Sequence, residues 1–147
     1  MSAAPRPPYV AEPPAIYLVR PDLVVDCSVL SAKLFEESTR DEAVLLLQGR
    51  SLHAPDLLVH EIVNVALKKA KLGWPEETLA LAMHDLAEQD IALHATNAAQ
   101  QRELAQRYKL SAYDAAYLWL AADLKAPLVT FDAKLAAAAR VHLASLA

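Results

Sequence analysis

The sequence predicts an α/β domain built on a parallel sheet. Short apolar, β-branched runs such as LVVD at residues 23–26 alternate with longer segments of helical periodicity. Several of the helical segments begin at capping residues, and the one that starts at Asp56 is closed by Gly73. Alternation of the two kinds of element implies right-handed crossovers and a sheet covered by helices on both faces.

Residues 1–22 hold six of the nine prolines. That density blocks helix and central strand, so residues 1–22 are read as an arm and residues 23–147 as the folded domain. Strand 23–26 leads into a helix capped by Ser28 and reaching residue 37. A second helix covers residues 40–48, with Leu45 and Leu46 facing inward, and residues 51–54 form a weaker strand ended by Pro55. Asp56 caps a helix to residue 72 that Gly73 closes. Pro75 opens the next helix, which runs to residue 89. A third strand at 91–94 precedes a helix capped by Thr96 or Asn97 and ending at residue 109. Ser111 caps a helix to residue 125, a fourth strand spans 127–131, and the last helix begins at Asp132. Residues 141–145 are the candidate for a fifth strand, so the sheet has four or five.

At 147 residues the chain has the size of one domain with a single core. Its 55% hydrophobic and 22% charged content fits a globular protein in water. Two glycines leave no Gly-rich loop for a dinucleotide or a nucleoside triphosphate. The net charge of −4 is not that of a protein that holds nucleic acid by charge alone. Contact with RNA would need metal ions or a local basic patch. The single cysteine, Cys27, forms no internal disulfide and suits a reducing compartment. No apolar run approaches the roughly 18 residues of a membrane span, and the N-terminus lacks the apolar core of a signal peptide. A cytoplasmic location without membrane contact is the expectation.

Four acids stand out by position. Asp26 ends the first strand, where open α/β sheets bind ligands; its other reading is a cap for the following helix. Ser28 faces the same way, and Cys27 is expected to point oppositely into the core. Glu61 falls within an apolar helical stripe made of Leu57, Leu58, Ile62, Val65 and Leu72. An ionised carboxylate is costly there unless it is paired or binds a metal. Lys68 or an edge position is the alternative explanation, and Asn64 lies one turn along the same face. Asp114 fits the capping box Ser111-Ala112-Tyr113-Asp114, and Asp132 fits an N-cap after Thr130. Both positions also deliver a carboxylate to the edge of the sheet. Asp123, at the far end of its helix, is read as solvated. Taken together, Asp26, Glu61, Asp114 and Asp132 describe one acidic cluster, and oxygen-only donors favour Mg²⁺ or Mn²⁺ over Zn²⁺. The run His60-Glu61-Ile62-Val63-Asn64 has Asn where a zinc-binding HExxH needs its second His. The other histidines show no ligand spacing.

The segments VVDCSVL (24–30), APDLLVHEIVNVALKK (54–69), LSAYDAAYLWLA (110–121) and LVTFDAKL (128–135) resemble, in order, those of a PIN domain. The likeness is strongest to a VapC-type toxin of a toxin–antitoxin pair; the Pro-rich arm lies outside it. The resemblance implies a three-layer α/β/α fold and a Mg²⁺- or Mn²⁺-dependent endoribonuclease. It places Asp26, Glu61, Asp114 and Asp132 in the acidic site, with Ser28, Asn64 and Thr130 as polar neighbours. It further implies an RNA substrate, a cognate antitoxin and a homodimer.

On this reading the metal activates a water against the RNA phosphate, and Lys33, Lys68 and Lys134 are candidates for steering that phosphate. Two rival functions remain. One is a non-catalytic PIN-like module that binds RNA or protein. The other is a phosphatase of the haloacid dehalogenase type, which needs an Asp two residues after the first, where this chain has Ser28.

Overall fold

The computed structural model describes residues 11 and 20–146. Apart from Ala11 and residues 20–22, the Pro-rich arm lies outside the described residues. The elements run β1 (Asp22–Val25), α1 (Cys27–Leu34), α2 (Arg40–Leu47), β2 (Ser51–Pro55), α3 (Leu57–Lys71), α4 (Glu76–Glu88), β3 (Ile91–His94), α5 (Ala98–Tyr108), α6 (Ala112–Leu124), β4 (Leu128–Val129) and α7 (Ala133–Ala144).

Among the described residues the sheet has four strands, all parallel, in the order β3-β2-β1-β4. After β1 the chain builds outward through β2 and β3, then returns to place β4 on the other flank of β1. The order therefore reverses at β1, and the crevice beyond the carboxyl ends of β1 and β4 is where such sheets bind ligands. Val24 pairs with Leu128 and Val25 with Val129, so the two strands end level with one another.

The central strand is apolar because helices cover both of its faces: Leu23, Val24 and Val25 are all buried. α6 crosses β1, β2 and β4, flanked by α5 and α7. Its Ala115, Ala116 and Ala121 let the helix come close to the sheet, while Tyr117, Leu118 and Leu120 fill the space between. A helix apolar on every side is a buried helix. α1 packs on α2, α3 and α4, and α3 lies against β2. Among the described residues no helix is long and apolar enough to cross a membrane.

Most local signals are obeyed. Asn97 accepts from Gln100 N at 3.0 Å, Ser111 from Asp114 N at 3.1 Å and Asp132 from Leu135 N at 2.8 Å. Gly73, at φ +89°, follows the end of α3 in a conformation that side chains disfavour.

Four expectations are corrected. Residues 141–145 form no fifth strand: Val141 and His142 lie in α7, where an alanine run carries the helix past one β-branched residue. In α2 it is Ala43 and Leu47 that are buried, whereas Leu45 is 71% and Leu46 41% exposed. Leu72 is 78% exposed, because α3 has ended by that point. The fourth strand is only the pair Leu128–Val129, since Thr130 and Phe131 turn away to feed α7.

Candidate active site

Asp26 is the hub. It follows β1 directly, is the N-cap of α1 in an extended conformation, and is 4% exposed. Its amide donates to Val129 O at 3.1 Å, which locks the two strand ends together. Its Oδ2 accepts from Ser28 Oγ and from Thr130 Oγ1, each at 2.7 Å. Ser28 Oγ itself accepts from Phe131 N at 3.0 Å, and Thr130 Oγ1 accepts from Asp132 N at 3.0 Å. Two hydroxyls thus fasten one carboxylate oxygen to the β4–α7 turn. Among the described residues no donor is directed at Oδ1, which leaves that oxygen for an external ligand. The expectation that Ser28 caps α1 is corrected: the N-cap lies two residues earlier, at Asp26, the helix starts at Cys27, and the Ser28 hydroxyl turns to Asp26 instead.

Glu61 stands in the second turn of α3, half-buried, and its Oε1 accepts a hydrogen bond of 2.6 Å from the Tyr117 hydroxyl of α6. Burial raises its carboxyl above the usual range; the Tyr117 bond opposes this, and the charges of Asp26 and Asp114 add to the rise. Asp114, in the first turn of α6, is raised by burial and then by Asp26 and Asp132, with Ser111 and Lys134 opposing. Asp132 is exposed, and its Oδ1 caps α7. Glu61 therefore feels the charges of Asp26 and Asp114, and Asp114 those of Asp26 and Asp132, which links the four acids beyond the carboxyl ends of β1 and β4.

That repulsion is what a cation relieves. Among the described residues no three His, Cys, Asp or Glu side chains close into a ready-made metal cage. Mg²⁺ does not require one, since it keeps several waters and binds through one or two carboxylates plus a substrate phosphate. The donors on offer are carboxylates and hydroxyls, with Asp26 Oδ1 free, a set that suits a hard divalent ion.

Some residues escaped the sequence reading. Tyr117 was hidden in a helix apolar all round, and Lys68 makes no ion pair with Glu61 among the described residues. Cys27 does not point away from the acids. The backbone turns helical at that residue, so its half-buried thiol shares a cleft with Glu61 and Asn64. Lys33 donates to Gln89 Oε1 at 2.9 Å and is committed to holding α1 on α4. Lys68 lines the Glu61 cleft, and Lys134 acts on Asp114. His53 bridges three strands, with Nδ1 2.9 Å from His94 Nε2 and Nε2 2.9 Å from Asp22 Oδ1. Parallel register brings these residues together, a relation no local spacing encodes.

A comparison of folds finds similarity to the crystal structure of PAE2754 from Pyrobaculum aerophilum, with a TM-score of 0.65 at 21% identity, covering 86% of this chain and 89% of that one. Ribonuclease VapC3 of Pyrobaculum aerophilum is 33% identical over 120 residues, which span 78% of this chain and 92% of the relative. The PIN domain family model matches residues 23–141, a span that contains all four acids and every strand but the first residue of β1. The chain belongs to the PIN-domain family, among its VapC-type members.

Proposed function

We propose that this chain is a metal-dependent endoribonuclease and the toxin half of a toxin–antitoxin pair. The observation that carries the reading is the convergence of Asp26, Glu61, Asp114 and Asp132 at the point where the strand order reverses. The named activity of the VapC3 relative, a ribonuclease, supports the substrate class.

In this reading Asp26 and Asp114 hold Mg²⁺ or Mn²⁺ directly, and Glu61 and Asp132 do so directly or through water. The bound ion would lower the pKa of an attacking water and neutralise charge on the phosphate. The chain's own residues do the rest. Ser28 and Thr130 hold Asp26 in one rotamer, so its free oxygen presents to the crevice. Tyr117 holds Glu61. A carboxylate of the cluster that is not itself bound to the ion, such as Glu61, would accept the water's proton. Asn64 and Lys68 lie along the path the RNA would follow.

The reading extends to a cognate antitoxin protein, a homodimer and action in the cytoplasm, with residues 23–147 as the nuclease domain and 1–22 as an arm whose last residue, Asp22, already pairs in β1. The phosphatase alternative loses support, because Ser28 is neither an acid nor free: its hydroxyl is held between Asp26 and Phe131 N.

The test is cleavage of a pool of structured RNAs by partner-free protein with Mg²⁺, Mn²⁺ or EDTA, beside Asp26→Asn. Metal-dependent cutting that the variant lacks is expected. If no RNA is cut and Mn²⁺ fails to raise Tm in the wild type, the binding-module reading replaces this one.

A further inference from the structure

Beside Glu61 opens a cleft of about 450 Å³ between α3 and the start of α6. Its walls differ in kind. Leu57 and Val65 of α3 supply an apolar side, and Tyr113 lines the cleft from the start of α6. Asn64, His60 and Lys68 line it with an amide, an imidazole and an ammonium, and the half-buried thiol of Cys27 completes the lining beside Glu61. Tyr113 is 61% exposed, an aromatic ring left in water at the edge of the acidic crevice. It immediately precedes Asp114 in the first turn of α6. The residue that carries this ring is thus the chain neighbour of Asp114.

We propose that this cleft is a nucleoside subsite, which takes one unpaired base of a single-stranded RNA between the Tyr113 ring and the apolar wall of α3. The inference rests on the ribonuclease reading and adds to it which residue grips the substrate. Three features point to a base. The cleft volume falls in the range of small-ligand sites. Its mixture of an aromatic face, apolar wall and one amide matches how proteins hold splayed RNA bases, by stacking and by bonds to the base edges. It also adjoins the carboxylates, so a nucleotide whose base sits here places its phosphate toward Asp26 and Asp114, with Lys68 offering a counter-charge. A base inside a duplex is stacked on both faces and cannot enter, so the substrate segment is single-stranded. Stacking on a tyrosine tolerates any base; Asn64 is the side chain placed to discriminate among them.

The test uses the full chain carrying Asp26→Asn, which prevents cutting, and labelled short single-stranded RNAs of A, C, G or U together with an abasic strand of equal length. Adding Tyr113→Ala should weaken binding of at least one base-bearing strand about tenfold or more, and leave the abasic strand unchanged. Tyr113→Phe should bind as its parent does. Equal losses on base-bearing and abasic strands, or no loss on any, overturn the subsite; so does binding of an antitoxin peptide that Tyr113→Ala abolishes while RNA binding persists. Tyr113 is exposed, so its variants keep the fold, and circular dichroism checks this. Cleavage separates the two readings. If a wild-type chain cuts RNA and Tyr113→Ala cuts it with unchanged kcat/KM, the subsite fails and the nuclease stands. Tyr113-dependent binding with neither metal-dependent cutting nor a Mn²⁺-dependent rise in Tm leaves the subsite standing and removes the nuclease.

Discussion

The hydroxyl of Tyr117 donates to Oε1 of Glu61 across 2.6 Å, joining two helices from positions 56 residues apart. Tyr117 is fully buried and Glu61 half-buried, so the bond forms where water competes poorly. It favours the carboxylate, against burial and against the charges of Asp26 and Asp114. Tyr117→Phe removes the donor and should push the Glu61 pKa further up. The acid limb of the pH–rate profile then moves to higher pH, because more base is needed to ionise Glu61. Stability at neutral pH should fall by about 1.5–3 kcal/mol, as for loss of a hydrogen bond to a charged group. A denaturant melt and a cleavage profile check both, and an unmoved acid limb would show that Glu61 does not titrate in the reaction.

The raised carboxyls of Glu61 and Asp114 also set a pH dependence of stability. In the unfolded chain both acids ionise at their ordinary values; in the fold both hold their protons to higher pH. The folded state therefore binds more protons between the ordinary carboxylate values and the raised folded ones, and stability falls as pH rises through that window and levels off above it. Asp114→Asn removes one ionising group and should raise Tm at neutral pH by about 1–3 °C, with the gain vanishing at pH 4. Mn²⁺ should raise Tm of the wild type and not of Asp26→Asn, since an ion that binds only the folded state stabilises it by mass action. Calorimetry at the two pH values, with and without Mn²⁺, reads all of this.

Thr130 and Ser28 make a separable prediction. Each donates to the same oxygen of a carboxylate that is 4% exposed. Thr130→Val keeps the shape, deletes one donor to Asp26 and leaves Asp132 N without its acceptor. The expected cost is about 1–3 kcal/mol of stability and a loss of about 10–100-fold in metal affinity or cleavage, the size seen when supports of metal ligands are removed. Ser28→Ala should act similarly and, because both bonds serve one oxygen, the double variant should depart from additivity.

The parts legible in the sequence were those encoded locally. Ser111 and Asp132 cap amides three residues ahead, so the helix starts could be read from spacing alone. Asp26 and Glu61 violated their apolar surroundings visibly. Illegible were relations set by tertiary geometry. Nothing near Tyr117 in α6 distinguishes one face from another when Ala115, Ala116, Leu118 and Leu120 are buried as well. Strand alternation points Cys27 into the core, yet the chain enters a helix there, and a rotation of about 100° instead of 180° swings the thiol toward Glu61. In α2, three consecutive leucines cannot all face inward, and the partner Ala43, four residues before Leu47, decides which one does.

Cys27 yields the last prediction, with a sign opposite to that of a reactive thiol. Burial raises its pKa to about 12, and the charges of Glu61, Asp26 and Glu37 reinforce the rise against Lys68. Only the thiolate attacks electrophiles, so at neutral pH the folded chain should be alkylated on the order of a thousandfold more slowly than the unfolded chain. Iodoacetamide labelling in buffer and in guanidinium, read by mass spectrometry, measures the ratio. A cation among the carboxylates would offset the charges of Asp26 and Glu61 and lower the thiol's pKa again. Mg²⁺ should therefore speed labelling of the wild type and leave Asp26→Asn unaffected. Labelling that ignores Mg²⁺ would mean that the ion does not lie within reach of Cys27, and the acidic crevice would then need a different occupant.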